Sequence, residues 1–370
     1  MNNKLIALAV AAAITVPTVA TAAPTVGGII QVEIANVSND GYGENNGRLQ
    51  AITKDQSATK VKDNKRGRLW FKGSEDLGGK LKANYKFEWQ INSATGSVND
   101  GARESWVGLS GGFGAFEVGR IKSSYKYTGG VKYDPFVTTY MEARKSGGMI
   151  GGDFGQNSFW SYAASYKIKS GPHRFWINVG LDGGDQDPVG GAGSAGPIVP
   201  DFTNNEITPK LKKAAGSLGD IAASYLFNAG SWEVFGAYGK DDSMTNAENG
   251  NDARTLIKGG GKIKFGGAHS IAVQYEQDDR KGPSADSTLM FLGYQFKMGK
   301  TVYVAQIGQT DHDNDANDTD YYALGVIHKF SKTTRTFIGY RVSDKTNAAT
   351  AGVGSKNDLS VLSLGLRVAF

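Results

Sequence analysis

The chain has 370 residues, with 41 Lys and Arg against 36 Asp and Glu, a formal net charge of +5, 51 Gly, 9 Pro and no Cys. The lack of cysteine excludes disulfide scaffolds, zinc ribbons, iron–sulfur clusters and thiol nucleophiles. Aromatic residues at 11% exclude a disordered or collagen-like chain, and no apolar run beyond the N-terminus reaches the roughly 18 residues of a spanning helix, which leaves a membrane barrel open.

Met1 to Lys4 is a short basic start, Leu5 to Val16 is apolar, and Pro17 to Ala23 is rich in small residues, with Ala20 and Ala22 at the −3 and −1 positions of an A-x-A site. This is a secretory signal peptide over 1–22. Cleavage follows Ala22, because one residue later would put Pro24 first. Residues 23–370 then form a single domain, since no boundary interrupts the pattern that follows.

That pattern has a period of two. Arg66, Arg68, Trp70 and Lys72 alternate with Leu69 and Phe71. Lys80, Lys82, Asn84, Lys86, Glu88 and Gln90 alternate with Leu81, Ala83, Tyr85, Phe87, Trp89 and Ile91. The alternation returns through the chain and ends with Leu362, Leu364, Leu366, Val368 and Phe370 on one face. It predicts strands near 25–37, 65–75, 79–91, 102–110, 114–121, 158–168, 172–182 and 218–227, then 230–239, 253–265, 268–277, 287–297, 300–310, 320–330, 333–343 and 358–370. Short Gly-rich turns such as Leu77-Gly78-Gly79 alternate with long polar loops, including 38–65, 122–157 and 183–217. The fold class is therefore all-β, a 16-stranded antiparallel transmembrane β-barrel, with 14 and 18 strands as alternatives.

Lipid exposure of a cation near the bilayer midplane costs about 2–4 kcal/mol, so the register turns cations inward and aromatics outward. Tyr85, Trp89, Trp106, Trp160, Tyr162, Trp232, Tyr238, Tyr322 and Tyr340 are expected in an outer girdle, and Phe159, Phe235, Phe291 and Phe337 in the inward register. Cations that alternate with lipid-facing aromatics do not make a nucleic-acid surface. Gly108-Leu-Ser110-Gly-Gly112 matches a nucleophile-elbow pattern but opens a strand-to-strand turn instead of a helix. Gly191, Gly193 and Gly196 match a dinucleotide fingerprint with no helix to follow. Asp311, Asp313 and Asp315 begin like a calcium loop, but Ala316 and Tyr322 stand where Gly and Glu are needed. The four histidines are scattered, and His173, His269 and His328 lie on the apolar set as interfacial residues. No catalytic residue, metal site or cofactor is expected.

Arg68-Leu-Trp-Phe-Lys72-Gly-Ser-Glu75-Asp76-Leu-Gly-Gly, Arg103-Glu-Ser-Trp-Val-Gly-Leu-Ser-Gly-Gly-Phe-Gly-Ala-Phe-Glu-Val-Gly-Arg120, Lys329-Phe-Ser-Lys-Thr-Thr-Arg335-Thr-Phe-Ile-Gly-Tyr340 and Leu364-Gly-Leu-Arg-Val-Ala-Phe370 together resemble the Gram-negative trimeric general porins, nearest the proteobacterial and neisserial-type branch. The resemblance implies a homotrimer in outer-membrane lipid and lipopolysaccharide, inserted by the barrel-assembly machinery, which reads Phe370 as part of its signal. It implies an inward-folded third loop, here about 122–157, whose acidic residues face a basic wall across an eyelet. Arg68, Lys72, Arg103 and Arg120 match the wall positions. Asp134-Pro-Phe-Val stands where the enteric branch has Pro-Glu-Phe-Gly, so Asp134, Glu142 and Asp153 are the candidates for the acidic side. The loop also carries Lys122, Lys126, Lys132, Arg144 and Lys145, a basic surplus. The implied function is passive diffusion of small hydrophilic solutes and ions, with a weak anion preference. A solute-specific channel with an aromatic ladder and a non-conducting adhesin barrel are the alternatives.

Overall fold

The structure, a computed structural model, describes residues 24–39, 42–45, 48–51, 56–98, 101–144, 147–151, 159–181, 220–241, 254–279, 286–313, 318–345 and 357–370. The expected signal segment 1–22, Lys145, Asp153 and the glycines at 191–196 lie outside them.

The alternating segments form a closed barrel of sixteen antiparallel staves. They are β1 (Thr25–Asn39), β2 (two segments, Gln56–Lys62 and Arg68–Gly78), β3 (Leu81–Gln90), β4 (Ala102–Gly111), β5 (Gly114–Lys122) and β6 (Phe159–Ser170). Then come β7 (His173–Gly180), β8 (Ile221–Asn228), β9 (Trp232–Asp241), β10 (Arg254–Phe265) and β11 (His269–Asp279). The last five are β12 (Ser287–Met298), β13 (Thr301–His312), β14 (Thr319–Lys329), β15 (Thr334–Lys345) and β16 (Asn357–Ala369). β16 closes on β1, from Ile29 opposite Ala369 to Asn39 opposite Leu359. Closure leaves no open sheet edge, which lipid would not tolerate.

The expected loop at 38–65 is partly strand. Gln56–Lys62 continues β2 and pairs with β1 from Lys62 opposite Glu33 to Gln56 opposite Asn39. A short hairpin pairs Tyr42–Asn45 with Arg48–Ala51. Between the β2 segments the chain kinks through Asn64 and Lys65, at φ 47° and 59°. Asp63 holds the kink by accepting from the Lys65 and Ser93 amides at 2.9 and 3.0 Å. The polar run Gln-Ser-Ala-Thr-Lys-Val-Lys carries too few apolar residues to announce a strand.

The outer face is apolar, with Ile30, Ile34, Leu324, Ile338, Leu362, Leu364 and Leu366 all exposed on it. At the short-turn end His173 and His269 share hydrogen bonds with the hydroxyls of Tyr225 and Tyr294, at 2.8 and 2.7 Å, within aromatic clusters. The Phe370 ring sits against Gly28. A Cβ on that glycine would come within 2.3 Å of the ring, and the two residues exchange backbone hydrogen bonds.

Two aromatics depart from the expected girdle. Trp106 stands opposite Lys86 on the inner face, and its Nε1 donates to Glu104 at 3.2 Å. Trp160 is buried with Ile121 and Ala163. The register slips between Glu88 and Trp89 and again between Gly119 and Ile121. Each bulge breaks the two-residue phase that a sequence reading carries forward. Lys80, expected inward, sits in the β2–β3 turn at φ 70°.

After β5 the chain turns into the barrel. Ser123 caps a single helical turn, α1 (Ser124–Tyr127), and a 3-10 turn follows at Gly130–Lys132. Tyr133, Phe136, Met141 and Met149 of this inner loop pack on Phe235, Phe291, Tyr321 and Phe337 of the wall. The dry core therefore lies between loop and wall, to one side of the lumen.

Candidate functional site

The loop is bound along the inner wall from β7 round to β1. Ser124 donates its amide to Asn178 at 2.7 Å, and Asn178 returns a bond to the Lys122 carbonyl at 3.0 Å. The Tyr125 hydroxyl donates to Glu276 at 2.9 Å, and the Ile150 amide donates to the other oxygen of the same carboxylate at 3.3 Å. Thr128 bonds Ser224 at 2.8 Å. Further on, Arg341 donates to the carbonyls of Tyr140 and Glu142 at 3.1 and 3.2 Å, and Tyr321 donates to the Met141 carbonyl. Glu33 accepts from the Tyr140 amide at 3.1 Å and from Ser363 at 2.7 Å. The wall thus supplies polar partners where an irregular loop has no ladder of its own.

The aromatic ladder imagined for a solute-specific channel is used for this seat. Phe235, Phe291 and Phe337 are 6%, 3% and 2% exposed beneath the loop. Phe235 fits because Gly129 lies against its ring at φ 61°, where a Cβ would approach to 2.1 Å. These rings line no passage.

The wall of β2 to β6 faces the loop across the lumen. Glu88 is bound by Arg68 at 3.4 Å, Arg103 at 2.7 Å and Lys86 at 2.6 Å. Glu104 is bound by Lys86 and, at 2.8 Å, by Lys122. Four cations share two carboxylates. The bulge in β4 makes this arrangement possible, since it brings both Arg103 and Glu104 to the inner face although they are adjacent in sequence.

The loop adds two further lysines, Lys126 and Lys132, beside Lys122. Lys122, Lys126 and Lys132 lie 5.0, 5.3 and 5.4 Å from the centre of the Tyr127 ring. Lys126 and Arg103 approach the Phe159 ring from loop and wall, at 4.1 and 4.8 Å. Burial, then the neighbouring Arg103 and Arg144, push the Lys126 ammonium well below its ordinary range. The two ring faces partly offset this by attracting the charged form. Tyr127 and Phe159 thus hold the cations of the narrows together. The inward register pointed to Phe159, whereas Tyr127, in a loop without alternation, gave no sequence signal.

The acidic candidates lie elsewhere. Asp134 is 2% exposed and accepts from the amides of Phe136 and Ala143 at 2.8 and 2.9 Å and from Gln306 at 3.0 Å, so its carboxylate ties the loop to itself and to β13. Burial pushes its pKa up to about 6. Glu142 accepts from the Thr138 amide at 2.8 Å and pairs with Arg144. Lys72 is exposed opposite Lys86 on the inner face, nearer the short turns than Arg68. Arg120 shares the alternation of Phe116 and Val118 and lines a depression with Val118, Tyr162 and Leu181. It donates to Ser161 at 2.6 Å and the Ala102 carbonyl at 3.0 Å, and its guanidinium lies 5.9 Å from the centre of the Phe159 ring.

Among the described residues no group of His, Asp and Glu is placed to hold a metal ion, and Ser110 opens a strand-to-strand turn.

Comparison with known proteins gives concordant findings. A family model described as Gram-negative porin matches residues 7–348. Outer membrane porin protein 32 of Delftia acidovorans is 28% identical over 324 residues, 81% of this chain and 86% of that one. The major outer membrane protein P.IB of Neisseria meningitidis is 36% identical over 145 residues, 39% of this chain and 41% of that one. Among solved structures, an anion-selective porin from Comamonas acidovorans superposes with a TM-score of 0.69, at 20% identity, over 94% of this chain and 99% of that one. OmpF of Salmonella typhi, solved with daunomycin, gives 0.63 at 12% identity over 94% and 97%.

Proposed function

The chain belongs to the Gram-negative porin family, an outer-membrane channel rather than an enzyme, and on that premise we propose that it passes small hydrophilic solutes and ions by diffusion with a preference for anions. The observation that carries the preference is the charge balance of the narrows. Arg68, Lys86, Arg103 and Lys122 surround Glu88 and Glu104, Lys132 adds to them from the loop, and the loop carboxylates are held in bonds of their own, Asp134 with the Ala143 amide and Gln306 and Glu142 with Arg144. In a narrow aqueous passage between low-dielectric walls, such a surplus concentrates anions and repels cations. Arg68 and Arg103 carry the selectivity in this reading. Lys72 sits before the constriction, and Arg120 faces the Phe159 ring. The zero-current potential in a salt gradient tests it.

Assembly follows the same reading. The exported protein is a homotrimer of residues 23–370, inserted among outer-membrane lipid and lipopolysaccharide by the barrel-assembly machinery. Its N-terminal sequence should begin at Ala23, and unheated samples should migrate as a compact oligomer. Retention of Met1 in outer-membrane fractions, or migration as an unfolded monomer without heating, would contradict it. Deleting Phe370 should lower the amount inserted at native expression while leaving the inserted fraction resistant to unheated detergent. Its ring packs on the β1 surface at Gly28 and the residue is 63% exposed, so the loss falls on assembly more than on the finished barrel. Normal insertion of the deletion variant would refute that role.

A further inference from the structure

The inner wall carries a second basic group on the short-turn side of the loop, apart from the narrows. Arg335 of β15 and Arg367 of β16 are direct cross-strand partners. On its other side Arg367 stands opposite Gln31 of β1. All three face inward, since Phe337 and Ser363, two and four residues away along the same strands, are buried on that face. The kink in β2 delivers Arg66 to the end of this row. Residues 63–67 of that kink span the stretch of β1 between the pairs Glu33–Lys62 and Ile29–Arg68, which is where Gln31 lies.

Like charges placed directly opposite on neighbouring strands oppose pairing, and a buried donor without a partner costs more than a hydrogen bond returns. Both conditions hold here. Arg66 Nε and Arg335 Nε are buried donors without a hydrogen-bond partner among the described residues. The nearby carboxylates are engaged elsewhere: Glu33 with Asn64, Ser363 and the Tyr140 amide, and Asp63 with the amides of Lys65 and Ser93. A closed barrel cannot turn these side chains out to lipid. A doubly charged anion would offset the repulsion and take up the orphaned N–H groups together, and the planar fork of guanidinium suits oxygens spaced as in a tetrahedral oxyanion. Gln31 borders the row and donates its Nε2 to the Thr138 carbonyl at 2.6 Å, so an anion there touches the group that holds the loop.

We propose that Arg66, Arg335 and Arg367 form a binding site for a divalent tetrahedral oxyanion, of sulfate or phosphate type, on the periplasmic side of the constriction and separate from the charges that set ion preference. The test uses the purified oligomer and sulfate as the probe, with chloride at equal ionic strength as the control. In wild-type protein sulfate should raise the temperature at which the oligomer dissociates. It should also reduce chloride current in planar bilayers, at lower concentration from the side of the short turns. In the Arg335→Gln, Arg367→Gln double variant the half-effect concentration should rise about tenfold or more, the size of one lost charge-assisted hydrogen bond. The chloride preference in plain KCl should persist. Should the double variant fail to assemble, Arg66→Gln, altered in the kink outside the ladder, reads the same shift. An unchanged half-effect concentration in the assembled variants overturns the site. The dissociation temperature needs no conduction, so an Arg335-dependent rise in a barrel without anion preference would sink the selectivity reading and leave this site standing.

Discussion

Phe136→Ala is expected to free the inner loop without opening the barrel. Phe136 is fully buried at the loop tip among Tyr133, Met141 and Phe337, with its ring against Gly325 of β14. Truncating such a phenylalanine costs about 3–5 kcal/mol, and here the loss falls on the contact between loop and wall. The staves keep their ladders, because each is hydrogen-bonded to both neighbours. The oligomer should therefore keep its heat resistance, while single-channel recordings show higher and noisier conductance. Proton binding at Asp134 works in the opposite direction. Its seated pKa of about 6 lies above the ordinary carboxyl value of 3.8, so its contribution to seating is complete below 3.8 and is lost as pH rises through about 6. The noise of the variant should fall between pH 7 and 5. Conductance indistinguishable from wild type at both pH values would show that the loop is held by something other than this seat.

The second large effect is expected from Arg68→Glu. The wild-type narrows set Arg68, Lys86, Arg103 and Lys122 against Glu88 and Glu104, and the substitution leaves three cations facing three carboxylates. At separations of a few ångströms, partly screened by water, such a reversal is worth about 1–2 kcal/mol, or roughly a 5- to 30-fold change in the ratio of anion to cation permeability. The change should be largest near 0.1 M salt, where the Debye length is about 10 Å, and small at 1 M, where it is about 3 Å. Arg68→Gln should lie between wild type and Arg68→Glu, and Arg120→Glu should shift the ratio less than Arg68→Glu, since Arg68 pairs with Glu88 directly whereas Arg120 bonds Ser161 and the Ala102 carbonyl and faces the Phe159 ring. A wild-type permeability ratio in Arg68→Glu at 0.1 M would remove Arg68 from the selectivity charges.

The barrel was legible because its determinant is local and repetitive. A lipid-facing side chain at every second position, from Leu81 to Ile91 or from Leu362 to Phe370, leaves little choice of fold, and the short Gly turns count the hairpins. What escaped the sequence arises where the repeat is broken or where distant segments meet. The bulge at Glu88 turned Trp106 inward and placed Arg103 beside Glu104, an outcome that strict alternation forbids. The polar strand at Gln56–Lys62 has its partner on β1 and little apolar pattern of its own. Phe235, Phe291 and Phe337 were rightly placed on the inner face, but whether they line a passage or lie under a loop depends on the path of residues 123–151, which has no period to read. Asp134 is the clearest case. Its position at the loop tip suggested an acid facing the wall, whereas the amides of Phe136 and Ala143 fold back to enclose it.

The most direct test of the account is the zero-current potential of single wild-type channels in a KCl gradient centred on about 0.1 M, where screening is weak. The charge balance of Arg68, Lys86, Arg103, Lys122 and Lys132 against Glu88 and Glu104 predicts a potential of the sign that marks chloride as the more permeant ion, shrinking toward zero as the salt is raised to about 1 M. A potential marking potassium as the more permeant ion at low salt would contradict it.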